Sequence, residues 1–110
     1  MKLAIVGSRR LTADPSGYVP SDVTEIVSGG AQGVDQCAKA YAQANGLKLT
    51  EFLPAYARYG QAAPLRRNEE IVRYADAVLV FWDGESAGTR YVIELCKTYG
   101  KPVQIVYKIT

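Results

Sequence analysis

Arginine is the residue type in this sequence that is best suited to chemistry, because its guanidinium pairs with phosphate through parallel hydrogen bonds. The sequence contains no histidine, which excludes Ser–His–Asp and Cys–His catalysis and histidine metal ligands. Its two cysteines, Cys37 and Cys96, are too few for a zinc pattern, and we expect both to be buried as small apolar side chains. We therefore predict no metal and no cofactor, and the arginines become the main candidates for a binding site.

Four segments combine such arginines with glycines or hydroxyl side chains. The first, Gly7-Ser8-Arg9-Arg10, directly follows an apolar run. Gly7 would let a ligand approach the backbone, Ser8 would donate a hydrogen bond, and the two arginines would pair with phosphate. The alternative is an ordinary turn followed by two solvated arginines.

The second segment is glycine-rich and spans residues 28–35, Ser28-Gly29-Gly30-Ala31-Gln32-Gly33-Val34-Asp35. It matches neither the dinucleotide-binding fingerprint nor the P-loop, but it leads from an apolar run into a helical pattern, where free N–H groups attract anions. Asp35 would hydrogen-bond a ribose or favour the helix N-terminus. The alternative is a tight turn in which Gly33 packs closely against the sheet.

The third segment, residues 64–70, opens a helical pattern with the adjacent pair Arg66 and Arg67. Cations at a helix N-terminus oppose the helix dipole, and a bound anion would offset that unfavourable placement. Asn68 adds a directional polar group. The alternative is that the two glutamates that follow neutralise the arginines on a solvated face.

The fourth segment, residues 83–90, precedes the last helical pattern. Gly88 and Thr89 would offer backbone N–H groups and a hydroxyl to phosphate. The alternative is a loop in which Ser86 or Gly88 caps the helix. Trp82, at the end of the preceding apolar run, would stack on a base or cover the sheet.

The elements that must position these segments are short apolar, β-branched runs that alternate with helical patterns, which indicates a parallel α/β sheet. The predicted strands are residues 2–6, 25–27, 48–53, 77–82 and 103–107. The predicted helices are residues 31–45, 64–75 and 89–99. Ligands of parallel sheets bind beyond the carboxyl ends of the strands, so we expect a pocket for a phosphorylated ligand there. Five arginines should meet in it: Arg9, Arg10, Arg66, Arg67 and Arg90.

One connection does not fit this alternation. Residues 9–24 separate the first two strands and contain Pro15, Gly17 and Pro20, with no helical period. Since parallel crossovers normally use a helix, we predict a loop with at most one helical turn. One sheet face would then be open or covered by a partner chain, which predicts a homodimer.

The composition is that of a soluble protein of 110 residues, with 48% hydrophobic and 22% charged residues, and we predict one domain over residues 1–110. No apolar run approaches the roughly 20 residues of a membrane span, and the apolar stretch among the first residues is too short for a signal peptide. We therefore expect a cytoplasmic protein with no membrane association. A net charge of +2 argues against nucleic acid as the partner.

Taken in order, these segments resemble the SLOG superfamily, named for the DNA-processing protein DprA (Smf) and the LOG nucleotide phosphoribohydrolases. The resemblance covers almost the whole chain and points to small stand-alone bacterial and phage members. The matching residues are Gly7-Ser8-Arg9, residues 26–35, Pro54-Ala55, Tyr59-Gly60, Ala62-Ala63, Arg67-Asn68 and Gly88-Thr89.

The resemblance implies a Rossmann-like three-layer domain with a five-stranded parallel sheet in the order 3-2-1-4-5. It also implies a nucleotide-derived ligand at the carboxyl edge, often a dimer, and in some members the sensing of ADP-ribose derivatives. The binding residues it implies here are Gly7, Ser8, Arg9, Gly29, Gly30, Gly33, Asp35, Arg67, Asn68, Gly88 and Thr89.

The sequence departs from this family at two places. It lacks a full helix between the first two strands, and it has Val92 where the LOG enzymes have a glutamate that acts with an arginine matched here by Arg67. Glycosidic cleavage needs a carboxylate, for which Asp83, Glu69 and Glu94 are candidates that nothing distinguishes. We therefore predict binding of a nucleotide or ADP-ribose-like ligand, with sensing as the candidate role. The alternatives are hydrolysis of nucleoside 5′-monophosphates and single-stranded DNA binding.

Overall fold

A parallel five-stranded sheet forms the centre of the protein, for which the computed structural model describes residues 1–108. The strands are β1 (Lys2–Gly7), β2 (Glu25–Ser28), β3 (Lys48–Glu51), β4 (Ala77–Trp82) and β5 (Val103–Tyr107). All four pairings are parallel, and the order is β3-β2-β1-β4-β5. The predicted Rossmann-like α/β fold and its strand order are therefore confirmed.

The central strands are buried on both faces because successive apolar side chains point to opposite sides of the sheet. In β1, Ala4 and Val6 belong to one core, while Leu3 and Ile5 belong to the other. The same alternation divides the apolar residues of β4 between the two cores. One continuous apolar run therefore supplies both sides of the sheet.

Helices cover both faces of the sheet. They are α1 (Val34–Ala44), α2 (Tyr56–Tyr59), α3 (Ala63–Tyr74) and α4 (Ala87–Thr98), with short 3-10 helices at Pro15–Gly17 and Gly60–Ala62. Apolar residues of α3 and α4 join one core, and those of α1 join the other. Within residues 1–108, no helix is long and apolar enough to cross a membrane.

The three predicted helices are confirmed, with shifted ends. The first begins at Val34 rather than at residue 31, because Gly30 and Gly33 have φ values of +69° and +71° that a helix does not contain. The glycine-rich segment is therefore a turn that ends where α1 begins. The short α2 and the 3-10 helix after it lie in a region predicted as loop.

The connection between β1 and β2 carries only the 3-10 helix Pro15–Gly17, as predicted, but it does not leave the sheet open. Leu11 is 1% exposed and packs with Val23 in the core on the α1 side. The ring of Tyr18 meets Phe81 of β4 edge-on at 5.6 Å. The expectation of an open sheet face is therefore wrong. The open face was our reason to predict a homodimer, so the homodimer stays a prediction without that support.

The two cysteines lie in different environments. Cys96 is fully buried, and burial raises the pKa of its thiol to about 11, so it behaves as a small apolar side chain. Cys37 is only half-buried, and its Sγ accepts a hydrogen bond from the N–H of Ala13 at 3.5 Å. The expectation of burial is thus met fully by Cys96 and partly by Cys37.

Candidate functional site

A cleft of about 570 Å³ opens at the carboxyl edge of the sheet, beside the ends of β1 and β4 and the first turns of α1, α3 and α4. Its volume is in the range of small-molecule sites. The structure brings together there these predicted binding residues: Gly7, Ser8, Arg9, Gly29, Asp35, Arg67, Asn68, Gly88 and Thr89.

Arg67 is the buried cation of the cleft, with only 8% of the residue exposed. Its Nη1 donates a hydrogen bond to the carbonyl of Gly29 at 2.8 Å, and its Nε donates to Oδ1 of Asn68 at 3.0 Å. Nη2 has no hydrogen-bond partner within residues 1–108, yet it is not sealed from solvent. Burial lowers the pKa of Arg67 and Asp35 partly offsets this, but a guanidinium stays charged at neutral pH. Arg67 can therefore donate to an anion in the cleft.

Asp35 is a buried carboxylate at the start of α1, 6% exposed. Its Oδ2 accepts a hydrogen bond from the N–H of Ala31 at 3.0 Å, and no ion pair joins it to Arg67 in the described chain. Burial raises the pKa of Asp35, while the Ala31 N–H and the charge of Arg67 partly lower it. Asp35 therefore holds the glycine-rich turn against α1 at the wall of the cleft.

Three polar side chains join the loops that follow β1 and β4. Oγ of Ser8, which is 2% exposed, lies 2.7 Å from Oγ of Ser86, which in turn lies 3.1 Å from Oδ1 of Asp83. The N–H groups of Ser86 and Glu85 also donate to Oδ1 of Asp83 and lower the pKa of that carboxyl. A carboxylate held in its charged form is a weak proton acceptor, which argues against Asp83 as a general base.

The N-terminus of α4 leaves several backbone donors unused. The first intrahelical hydrogen bond is from the N–H of Arg90 to the carbonyl of Ser86, at 3.1 Å, and no side chain of residues 1–108 caps the helix. The N–H groups of Gly88 and Thr89 precede that bond, and both residues line the cleft. Thr89 is 7% exposed, whereas Gly88 is exposed and has open space around it. This end of the cleft thus offers amides to an anion.

Gly33 lies outside the cleft and has a packing role. A Cβ on Gly33 would lie 2.4 Å from the carbonyl oxygen of Arg9, so only glycine lets α1 approach the loop after β1. This is the structural alternative that we gave for Gly33. Gly30 also lies outside the cleft, where the side chain of Leu53 covers it.

Only three of the five arginines predicted to meet in one pocket do so, namely Arg9, Arg10 and Arg67. Arg66 lies outside the cleft and pairs with Glu69 at 3.9 Å. Arg90 also lies outside, with its guanidinium 5.6 Å from the ring of Trp82. The prediction was therefore wrong for Arg66 and Arg90, because each is one helix position, or about 100°, away from a residue that does line the cleft.

The other carboxylates proposed for catalysis do not line the cleft. Glu94 is exposed on α4, and Oε1 of Glu69 accepts a hydrogen bond from the hydroxyl of Tyr91 at 3.2 Å. Val92, 3% exposed, does line the cleft, at the position where the resemblance implies a glutamate. The cleft therefore has an apolar side chain at the position where the resemblance implies the carboxylate that glycosidic cleavage needs.

Sequence reasoning missed several cleft residues. Val6 and Ile71 form part of an apolar wall, and Glu85 and Ser86 add polar groups from the loop after β4. Ile71 could have been found, because it follows Arg67 by four positions and so shares its helix face. Glu85 and Ser86 stood inside a predicted segment, but no periodicity indicates which loop side chains point inward.

Trp82 covers the sheet instead of lining the cleft. Its ring lies 5.6 Å from that of Tyr107 on the neighbouring strand, and its Nε1 donates to the carbonyl of Ser86 at 3.2 Å. Of the two readings we gave, base stacking and sheet cover, the structure favours the second. Through Ser86, Trp82 also steadies the loop at the mouth of the cleft.

No family model, curated protein or solved structure matches this chain. Among the described residues, no three Cys, Asp or Glu side chains are grouped as ligands for a metal ion.

Proposed function

We propose that the cleft binds a nucleotide or nucleotide-derived ligand, with a phosphate held between Arg67 and the free N–H groups that begin α4. The observation that carries this is Nη2 of the buried Arg67, which has no hydrogen-bond partner within residues 1–108 and is not sealed from solvent. A largely buried guanidinium with no ion-pair partner is costly, and an anion that accepts from its open donor would offset part of that cost. Phosphate fits a guanidinium fork and helix amides together.

The rest of the cleft suits the remainder of such a ligand. Val6, Ile71 and Val92 offer apolar contact to a sugar or a base, and Asn68 and Glu85 can hydrogen-bond hydroxyl groups. Ligand sites of this size typically combine apolar walls with a few directed polar groups.

The proposal extends to the family and to the role of the protein. The strand order β3-β2-β1-β4-β5 is the one that the SLOG resemblance implies, and its matched residues Arg67-Asn68 and Gly88-Thr89 line one cleft. We propose membership of that superfamily, a sensing role, a cytoplasmic location and a homodimer. Light scattering of the purified protein tests the last of these directly.

A thermal-shift screen with AMP, ADP, ADP-ribose and cyclic di-AMP tests the binding proposal. A ligand at about 100 times its Kd should raise the free energy of unfolding by about 2.7 kcal/mol. Arg67→Ala should abolish the shift. Arg73→Ala is the matched control, since Arg73 is an exposed arginine at the other end of α3, and it should keep the shift. No response to any of these compounds, or equal loss in both variants, would refute the site.

The same protein tests the two alternatives. Free base released from AMP and detected by chromatography would identify a phosphoribohydrolase. Glu85→Gln would then show whether the exposed carboxylate at the cleft takes part in the reaction. A salt-dependent mobility shift of a labelled oligonucleotide would identify single-stranded DNA binding. We expect neither result, since Val92 replaces the glutamate and the net charge is only +2.

A further inference from the structure

A chain of three side chains links the two loops that border the cleft after β1 and β4. Oγ of Ser8 lies 2.7 Å from Oγ of Ser86, which in turn lies 3.1 Å and 3.2 Å from the two carboxylate oxygens of Asp83. All three residues line the cleft. Each link of this chain needs a proton between its oxygens, so the direction of the two hydroxyl protons decides what this side of the cleft can bind.

Asp83 sets that direction because it can only accept hydrogen bonds. The N–H groups of Ser86 and Glu85 donate to its Oδ1 at 2.8 Å each, and these bonds hold the pKa of the carboxyl below its usual range. Asp83 is therefore a carboxylate at neutral pH and has no proton to give. The proton between Asp83 and Ser86 must come from the hydroxyl of Ser86.

The hydroxyl of Ser8 then supplies the proton of the other link. Since the one hydroxyl proton of Ser86 points at Asp83, Oγ of Ser86 can accept from Ser8 but cannot donate to it. Oγ of Ser8 also accepts a hydrogen bond from the N–H of Asp83 at 3.4 Å. Each hydroxyl is thus left with one lone pair, and with no proton, for a ligand.

A phosphate oxygen without a proton does not fit this side of the cleft. It would add a third oxygen–oxygen contact, while the two serines together have only two hydroxyl protons. One contact would then bring two oxygens together without a hydrogen bond, next to Ser8, which is only 2% exposed. Such an unsatisfied contact is costly where water cannot replace it. A ligand group that brings its own proton removes the conflict.

We propose that Ser8, Ser86 and Asp83 form an acceptor-only side of the cleft, which selects a ligand hydroxyl and excludes a phosphate oxygen. Ser8 accepts from the ligand, although the sequence led us to expect it to donate. Ser86 directly precedes α4, whose N–H groups hold the phosphate in the proposed function, so the hydroxyl lies close to the phosphate. In a nucleotide it is a ribose hydroxyl. This inference rests on the proposed function and makes the three residues determinants of specificity for ribose over deoxyribose.

Titration calorimetry with AMP and its 2′-fluoro-2′-deoxy and 3′-fluoro-3′-deoxy analogues tests this directly. Fluorine is close to a hydroxyl group in size but has no proton to donate. We expect at least one analogue to bind the wild type at least about tenfold more weakly than AMP, since a site built to pair with a hydroxyl rejects an analogue that lacks it. We call this ratio the fluorine penalty.

Asp83→Asn should reverse the chain while keeping its shape. The amide NH₂ of asparagine can donate to Oγ of Ser86, whose proton then turns to Ser8 and leaves the Ser8 proton free for the ligand. The fluorine penalty should therefore fall below about threefold. Ser86→Ala should have the same effect by another route, because it removes the acceptor that holds the Ser8 proton. If Asp83→Asn does not fold, Ser86→Ala decides.

Asp14→Asn is the matched control. Asp14 also accepts a hydrogen bond from the N–H of a nearby serine, Ser16, at 3.0 Å, but it lies outside the cleft. This variant should keep both the AMP affinity and the fluorine penalty. Loss of the penalty in Asp14→Asn would show that any turn of this kind affects the ratio, and it would overturn the inference.

Three other results overturn the inference: neither analogue binds more weakly than AMP, the penalty persists in a folded Asp83→Asn or Ser86→Ala protein, or AMP does not bind. The proposed function survives these results if AMP, ADP, ADP-ribose or cyclic di-AMP binds in an Arg67-dependent way. If none of these four compounds binds, the inference and the proposed function are both overturned.

Discussion

At the scale of single residues, the cleft depends on a contact that only glycine permits. A Cβ on Gly29 would lie 2.5 Å from Nη1 of Arg67 and 3.0 Å from Oδ2 of Asp35. The bare backbone therefore lets a buried cation and a buried carboxylate both approach the space that a side chain at Gly29 would fill. Their charges favour each other, although no ion pair joins them within the described residues. The turn is held by side chains as well as by its own backbone.

Asp35 makes stability depend on pH with an unusual sign. Its folded-state pKa lies above the ordinary value of an aspartate, so the folded protein binds this proton more tightly than the unfolded chain. Ionised Asp35 therefore costs stability at neutral pH, and that cost disappears as the pH falls through the raised pKa towards 3.8. Relative to Asp35→Asn, the wild type should gain free energy of unfolding between pH 7 and pH 4, as measured by urea denaturation.

Asp14→Asn is a control of opposite sign, since the hydrogen bond from the N–H of Ser16 lowers the pKa of Asp14. Against that variant, the wild type should lose its advantage as the pH falls. A flat profile for Asp35→Asn, or one that follows the Asp14 profile, would contradict the burial of the Asp35 carboxylate.

The residue types of the cleft could be predicted better than their orientations. The periodicity identified the strand that ends at Gly7 and the helices that begin near Arg67 and Thr89. A parallel sheet brings strand ends and the following helix starts to the same edge, so these residues could be predicted to meet there. Arg66 and Arg67 are adjacent, yet one lies outside and one is buried, because successive helix positions are about 100° apart. Without the position of the neighbouring helix, the sequence does not indicate which of the two faces inward.

At the scale of elements, the unusual feature is that a loop shares with α1 the covering of one sheet face. The connection from β1 to β2 inserts Leu11, Pro15 and Val23 into or beside the core, and the ring of Tyr18 closes over Phe81. The N–H of Leu11 donates to the carbonyl of Ser8 at 3.2 Å, which fixes the start of the loop. A helix is therefore not needed to exclude water from this half of the sheet.

Leu11→Ala measures how much this loop contributes. The side chain is 1% exposed, and its removal should lower the free energy of unfolding by about 2–5 kcal/mol, since a cavity would replace core contacts. Leu65→Ala removes a leucine that is 46% exposed and should change stability by no more than about 0.5 kcal/mol. Denaturant unfolding of both variants compares them. Equal effects would mean that the loop does not cover the sheet in solution.

Most strands could be predicted because they are apolar, β-branched runs bounded by a turn residue. The ends of β4 and β5 agree with the prediction, whereas the predicted third strand extended past Glu51 to residue 53. Phe52 and Leu53 are apolar, but the backbone leaves the sheet before Pro54, where a proline restricts the preceding residue. The loop between β1 and β2 was predicted, but its burial against the sheet was not. Irregular backbone has no periodicity that would indicate which of its side chains are buried.

At the scale of the whole molecule, the two cores are joined through shared strands. Each of β1 and β4 supplies side chains to both cores. Loss of packing in one core therefore exposes one face of the same strands whose other face supports the second core. Small domains with one continuous sheet usually unfold in a single cooperative step. The cleft lies where both faces end, and its walls come from α1 on one side and from α3 and α4 on the other.

Unfolding should therefore be a single transition that two independent probes report alike. Trp82 is the only tryptophan and sits beside the cleft, while far-UV circular dichroism averages over helices on both faces. We expect coincident urea midpoints from fluorescence and circular dichroism, and equal upward shifts of both midpoints when a cleft ligand is added, since binding to the folded state stabilises the whole cooperative unit. An earlier fluorescence transition would show that the carboxyl edge opens on its own. In that case the ligand would bind only molecules in which the carboxyl edge is ordered. Ligand addition would then raise the fluorescence midpoint more than the circular dichroism midpoint.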